Sequence, residues 1–223
     1  MTCSLDRRSL MGLGTAAFLL PTPVLAAETA TRRFKISRTG SDIGTHVITV
    51  TREGNSVRAE TVIDIAVKFL GITAYRYELA YTEVYRDGVL QSLSGKANDD
   101  GDPGFVNVVR NGETLQVDGS SYSGEVSGSS MPTSYWRMSG LRATPWISTQ
   151  TGELFAVGAR EIGPLPHSPA GSRVFRASDN AEYTVDLWYD NAGDWTGCSF
   201  DAGGELGIYT LEQGSDSLAG FSA

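Results

Sequence analysis

Residues 57–69 read VRAETVIDIAVKF. Val57, Ala59, Thr61, Ile63, Ile65, Val67 and Phe69 alternate there with Arg58, Glu60, Asp64 and Lys68, the period of two that sends successive side chains to opposite faces of a β-strand. A strand of that length spans about 43 Å at about 3.3 Å per residue and must coil with the sheet twist. The next segment repeats the pattern: Tyr75, Tyr77, Leu79, Tyr81 and Tyr85 share one face, while Arg76 and Glu78 point the other way. Two long neighbouring antiparallel strands are therefore predicted, with an aromatic and aliphatic inner face.

Outward from this pair the chain keeps the same rhythm. Asp87-Gly88, Asn111-Gly112 and Asp118-Gly119 are residue pairs that tolerate positive φ in tight hairpin turns, and residues 98–104 (NDDGDPG), 191–194 (NAGD) and 201–204 (DAGG) mark longer ones. Strands are predicted at 32–38, 43–53, 56–69, 72–86, 89–97, 104–110, 113–118, 121–126, 153–162, 171–178, 181–190, 195–200 and 205–212. An antiparallel meander this wide would expose its edges and an apolar face if flat. It must curl into a barrel, a half-barrel or two packed sheets. The expected class is all-β, a large curved antiparallel sheet. Residues 127–152 break the alternation with Pro132, Trp136, Pro145 and Trp146, and are expected to form a lid or plug with one short helix near 134–141, or a long crossover.

The N-terminus reads as an export signal. Arg7 and Arg8 precede a mild apolar run from Leu10 to Leu20, Pro21 and Pro23 break it, and Val24-Leu25-Ala26 offers small residues for cleavage. The run is too short for a stable membrane span. Adjacent arginines, with Gly12, Gly14 and Thr15 diluting the apolar run, resemble a twin-arginine signal; a Sec signal with two chance arginines is the alternative. The expected organisation is a signal at 1–26 and a single antiparallel β domain at 27–223, periplasmic or secreted after cleavage near Ala26, with the twin-arginine machinery as export partner. Loss of Asp6, Arg7 and Arg8 with the leader takes the net charge from −8 to −9. Cys3 leaves too, and Cys198 remains as a lone thiol expected to be buried and inert.

Composition narrows the chemistry. Of 223 residues, 40% are hydrophobic and 20% charged, which fits a globular chain rather than a disordered one. The acidic balance and scattered basic residues argue against nucleic acid as partner. Two Cys exclude a disulfide scaffold and two His exclude a three-histidine zinc site. Residues 119–123 (GSSYS) fail the serine-hydrolase elbow at the last position. The acidic loop Asn98, Asp99, Asp100, Asp102 lacks the EF-hand glycine and glutamate and reads as a solvated turn. No phosphate-binding glycine motif occurs. No cofactor or metal is expected.

Five stretches together resemble a known family. They are residues 38–46 (RTGSDIGTH), 83–90 (EVYRDGVL), 132–136 (PTSYW), 187–193 (LWYDNAG) and 208–211 (IYTL). In this order and spacing they are similar to exported bacterial β proteins classed as a domain of unknown function. Asn98 departs from that pattern, where threonine is expected. The resemblance implies an exported, mostly antiparallel β domain with no established activity.

The candidate ligand-binding residues are His46, Tyr75, Tyr77, Tyr81, Glu83, Trp136 and Trp188. His46 shares a strand face with Ile48 and Val50; it is either a core histidine or a base. His167 lies in residues 164–169 (PLPHSP), a surface turn where solvation suffices. Glu83 stands on the tyrosine face. If Asp87-Gly88 is a two-residue turn, Arg86 pairs with Val89 and Glu83 falls opposite Ser92. A carboxylate there needs partners. It is either tied structurally to Arg, Tyr or Ser, or is the polar anchor of a ligand cavity. Three functions stay open: a carrier of a small apolar or amphipathic molecule on the concave face, a structural or partner-binding module, and an enzyme using Glu83 and His46 together.

Overall fold

The computed structural model describes residues 27–179 and 183–221; the export-signal reading of residues 1–26 falls outside them. Eight strands follow one another as hairpins: β1 (Glu28–Arg38), β2 (Ser41–Glu53), β3 (Ser56–Phe69), β4 (Ile72–Arg86), β5 (Val89–Asp99), β6 (Asp102–Asn111), β7 (Thr114–Gly119) and β8 (Ser123–Ser127). A crossover then carries the two-residue strands β9 (Met131–Pro132), β10 (Trp146–Ile147) and β11 (Leu154–Phe155), and a 3-10 helix at Met138–Arg142. The meander resumes with β12 (Gly158–Ile162), β13 (Arg173–Ser178), β14 (Thr184–Tyr189), β15 (Trp195–Asp201) and β16 (Leu206–Leu211). Strand β16 pairs with β1, so thirteen strands form one sheet running β12 to β16, then β1 to β8. Strands β8 and β12 are its two edges and do not pair, leaving the barrel open along one seam. The described residues contain no helix long and apolar enough to cross a membrane.

The predicted alternation is the packing pattern. Val57, Ala59, Thr61, Ile63 and Ile65 face inward and are buried, and Leu79, Tyr81, Glu83 and Tyr85 follow on β4. Val62 and Val109 are exposed on the outer wall. Asp87 and Gly88 both take positive φ, the two-residue hairpin turn expected of that pair. Beyond it the register departs from expectation. Tyr85 pairs with Leu90 but Val84 pairs with Ser92, so Gln91 is an extra residue in β5 and Glu83 falls opposite Leu93 rather than Ser92. A bulge of this kind shifts every later partner by one.

The predicted strand 153–162 is also two strands. The Val157 N–H donates to the Phe155 carbonyl at 2.8 Å, a three-residue γ-turn. It ends β11, which pairs with β10 in a small three-stranded sheet, and releases β12 to pair with β13.

The Trp-containing crossover covers the inner face from within, as a plug. Trp136, Trp146 and Ile147 are buried. Residues 149–151 lie backbone-on against the inner face of β5, β6 and β7. A methyl at Gly95 would overlap the Thr149 carbonyl oxygen, one at Gly104 would come within 2.9 Å of the Gln150 carbonyl oxygen, and one at Gly119 would overlap the Thr151 carbonyl oxygen. The Ser121 N–H donates to that same Thr151 carbonyl at 3.0 Å. Three glycines, one on each strand, thus make the floor on which the plug sits.

Candidate functional site

The two ends of the open barrel differ. At the end holding the β2–β3 and β4–β5 turns the interior is closed. The fully buried Glu83 carboxylate accepts hydrogen bonds from the Tyr85 hydroxyl and, at 3.4 Å, from the Trp136 indole nitrogen. Arg137 stacks over the Tyr85 ring, 4.2 Å from its centroid, and donates to the Gly88 carbonyl at 3.1 Å. Burial pushes the Glu83 carboxyl above its ordinary range, while the Ser134, Tyr85 and Trp136 donors and the Arg137 charge oppose that rise. The C-terminal segment completes the closure: Arg32 and the backbone N–H of Leu218 both bind Asp194, and Leu218 and Phe221 are buried. Glu83 and Trp136 are therefore packing and hydrogen-bonding partners of each other.

At the opposite end the β1–β2, β3–β4, β5–β6 and β15–β16 turns surround an opening. A cleft of about 590 Å³ enters here. Ile43, Ile65, Val67 and Phe200 give it apolar walls, with Tyr75 and Tyr77 between them. Beyond Ile65, strand β3 pairs only with β4, so Val67 and Tyr75 extend the wall past β2. The charges here come from turn residues. The Tyr75 hydroxyl donates to Asp99 at 2.7 Å, and Arg38 meets Glu205 at 3.2 Å. Asp100 in the β5–β6 turn accepts from the Arg76 N–H of β4 at 3.2 Å. Among the described residues no group of three His, Cys, Asp or Glu side chains is placed to hold a metal ion.

Behind the cleft lies a second, inner chamber of about 320 Å³. Tyr77, Gln150 and Tyr209 wall both spaces, and the Tyr77 hydroxyl donates to the Gln150 side chain at 3.3 Å. His46 and Tyr81 form part of the chamber wall, facing Tyr135 and Tyr183, whose hydroxyls are 2.7 Å apart. Six of the nine tyrosines of the chain, at 75, 77, 81, 135, 183 and 209, line the cleft and chamber. His46 is 3% exposed and is packed by the rings of Trp195 at 5.3 Å and Tyr209 at 5.4 Å between centroids. Neither of its ring nitrogens has a hydrogen-bond partner among the described residues. Burial alone pushes its pKa down to about 3. Burial likewise pushes Tyr77 and Tyr81 above the usual phenol range.

The structure thus brings together His46, Tyr75, Tyr77 and Tyr81 of the predicted set and places Glu83, Trp136 and Trp188 elsewhere. Trp188 stands on the outer face of β14, opposite Val174 and Gly197. The loop before β13 covers it: the His167 ring lies 5.6 Å from the Trp188 ring, and His167 Nε2 is 3.0 Å from the Ser199 hydroxyl. His167 is accordingly half-buried and engaged rather than solvated. Asp186 beside Ser199 accepts a two-pronged bond from Arg176 at 2.7 and 2.8 Å, and the bond given for the His167 ring goes to Ser199, so that carboxylate does not orient the imidazole as in a triad. Glu83 and His46 do not form a dyad either. His46 on β2 is level with Ile63 and Leu79, whereas Glu83 on β4 is level with Ala59 and Val50, four residues or about 13 Å further along the strands and two strands across. Cys198 is buried, and burial raises its thiol well above the ordinary value.

The residues that the sequence reading missed, Tyr135, Gln150, Tyr183 and Tyr209, come from the crossover and the second half of the meander. Tyr209 carried a usable signal, alternating with Gly207 and Leu211 on β16.

The fold has a solved counterpart. The crystal structure of a β-barrel-like protein of the domain of unknown function DUF1849 from Brucella abortus matches with a TM-score of 0.54 at 10% identity, covering 82% of this chain and 95% of that one. At that identity the likeness concerns the fold alone. No curated protein matches the chain at a significant level. The family model described as "Domain of unknown function (DUF6134)" matches residues 34–212, nearly all of the sheet from β1 to β16, and the chain therefore belongs to the DUF6134 family.

Proposed function

We propose that this protein is an exported binding or carrier protein that holds a small amphipathic molecule in the tyrosine-lined cleft. The observation that carries the reading is the cleft itself, about 590 Å³, apolar-walled, open at one end of the barrel and backed by a further chamber. That volume lies in the range of small-molecule sites, which combine apolar walls with a few polar groups. Tyrosine suits both demands, with an apolar ring and a hydroxyl at its tip. Export by the twin-arginine route, with release to the periplasm or beyond, is part of the same proposal. The reading needs no cofactor and no catalytic group.

The test uses N-phenyl-1-naphthylamine, a neutral apolar dye that fluoresces when taken out of water. Wild-type protein should enhance its emission saturably. Val67→Arg places a cation in the wall of the cleft at a half-buried, foldable position, and should weaken dye binding at least tenfold without lowering the melting temperature by more than a few degrees. Equal binding by both proteins, or none by wild type, would remove the cleft from consideration. Loss of the dye signal together with loss of folding is avoided by comparing melts of the two proteins first.

A further inference from the structure

The inner chamber specifies what its occupant must carry. Its polar groups are the His46 imidazole, the Gln150 amide and the hydroxyls of its tyrosine, threonine and serine side chains. Among the described residues it is lined by no Asp, Glu, Lys or Arg. His46 is the polar group least provided for: it is buried, both nitrogens lack partners among the described residues, and the Trp195 indole nitrogen beside it lacks one too. Leaving a buried donor or acceptor unmade is costly. The rings of Phe34, Trp195 and Tyr209 hold the imidazole in place within the chamber wall.

A neutral imidazole has one donor and one acceptor, and an alcohol hydroxyl has the same pair. A carboxylate or an ammonium group entering this chamber would lose its hydration and meet no opposite charge. We propose that the chamber takes the uncharged, hydroxyl-bearing end of an amphipathic molecule, with His46 as its hydrogen-bonding anchor and the apolar remainder lying in the outer cleft. The proposal rests on the cleft being a ligand site and adds the chemical class of the ligand. Burial keeps the imidazole neutral, its pKa down at about 3. The titratable groups that face it, Tyr77 and Tyr81 from β4, Tyr209 from β16, Tyr135 from the crossover and Tyr183 before β14, are all pushed upward by burial. The chamber therefore neither gains nor loses charge near neutral pH.

The experiment titrates the protein with decanol, decanoate and decylamine, three probes with one chain length and different heads, and reads tryptophan emission, Trp195 being in ring contact with His46. Wild type should bind decanol at least tenfold more tightly than either charged probe near pH 7. His46→Phe should lose about tenfold on decanol, a difference of about 1.4 kcal/mol, while His46→Gln, which keeps a donor and an acceptor, should retain most of the affinity. Charged probes binding as tightly as decanol to wild type would overturn the proposal, as would His46→Phe binding decanol like wild type. The wild-type ranking stands as the test should His46→Phe fail to fold. Saturable binding of the naphthylamine dye without the decanol preference overturns this inference alone; binding of neither dye nor any decyl probe overturns the cleft reading with it.

Discussion

Replacing Glu83 separates a structural carboxylate from a functional one. The side chain is fully buried and accepts from the Tyr85 hydroxyl and the Trp136 indole. Glu83→Ala leaves both donors without that acceptor, at about 1–3 kcal/mol each, partly offset because a costly buried carboxylate is also removed. A net loss of about 2–4 kcal/mol is expected. Glu83→Gln keeps an oxygen acceptor and should stay within about 1 kcal/mol of wild type. The two proteins should also diverge with pH. Burial raises the Glu83 pKa above 4.5 in the folded protein, so between the unfolded and folded values the native state holds a proton that the unfolded state has released. Wild-type stability from this group is complete below about pH 4.5 and declines as pH rises through that window. A tenfold difference in proton affinity is worth about 1.4 kcal/mol. Glutamine has no such proton, so Glu83→Gln should gain on wild type as pH rises above about 4.5. Urea melts of wild type and both variants across that window give the answer. A Gln-to-wild-type difference that does not move with pH, or a Gln variant as unstable as the Ala variant, would refute this account of the closed end.

Three other perturbations test separate parts of the account. Gly95→Ala drives a methyl into the Thr149 carbonyl oxygen; because the obstacle is backbone, chemical melts should show a loss of about 1–3 kcal/mol, whereas Gly54→Ala, with open space around it, reports only the strain of its positive φ. Cys198 should react with a thiol reagent in urea and not in the native protein, since it is buried and its thiolate is disfavoured; rapid native labelling would contradict its place in the core. Arg7→Lys with Arg8→Lys should stop export, measured as precursor retained in cells, and normal export of the double variant would leave the Sec route.

Much of the fold is legible because its strands bury one face only. In residues 57–65 and 79–85 the side-chain period alone identifies the inward set, and the structure buries that set. Alternation is lost where both faces are covered. Strand β14 is buried at Val185 through Tyr189 without alternation, because the loop carrying His167 lies on its outer side. Trp188 therefore gave no sign of which face it served. Register is lost at bulges: Gln91 is an ordinary residue in the sequence, yet it moves Glu83 from Ser92 to Leu93. The candidate site was half legible. Tyr75, Tyr77 and Tyr81 are on one strand and His46 is on a nearby one, whereas Tyr135, Tyr183 and Tyr209 arrive only when β16 joins β1 and the crossover enters the barrel. Gly95, isolated within a strand pattern, was the available sign of a close backbone approach; Gly104 and Gly119 sit in stretches that read as turns, and all three mark the path of the plug.

The central claim is that the cleft holds a small molecule. Native mass spectrometry of protein purified after export, under conditions that preserve non-covalent complexes, tests it directly. The account predicts a species heavier than the mature polypeptide by one small molecule, absent from Val67→Arg, and solvent extraction of the wild-type sample should yield an uncharged hydroxyl compound of matching mass. Bare polypeptide alone in both proteins, with wild-type protein also failing to take up the naphthylamine dye or decanol when either is supplied, would contradict it and leave the tyrosine-lined interior as packing of the sheet.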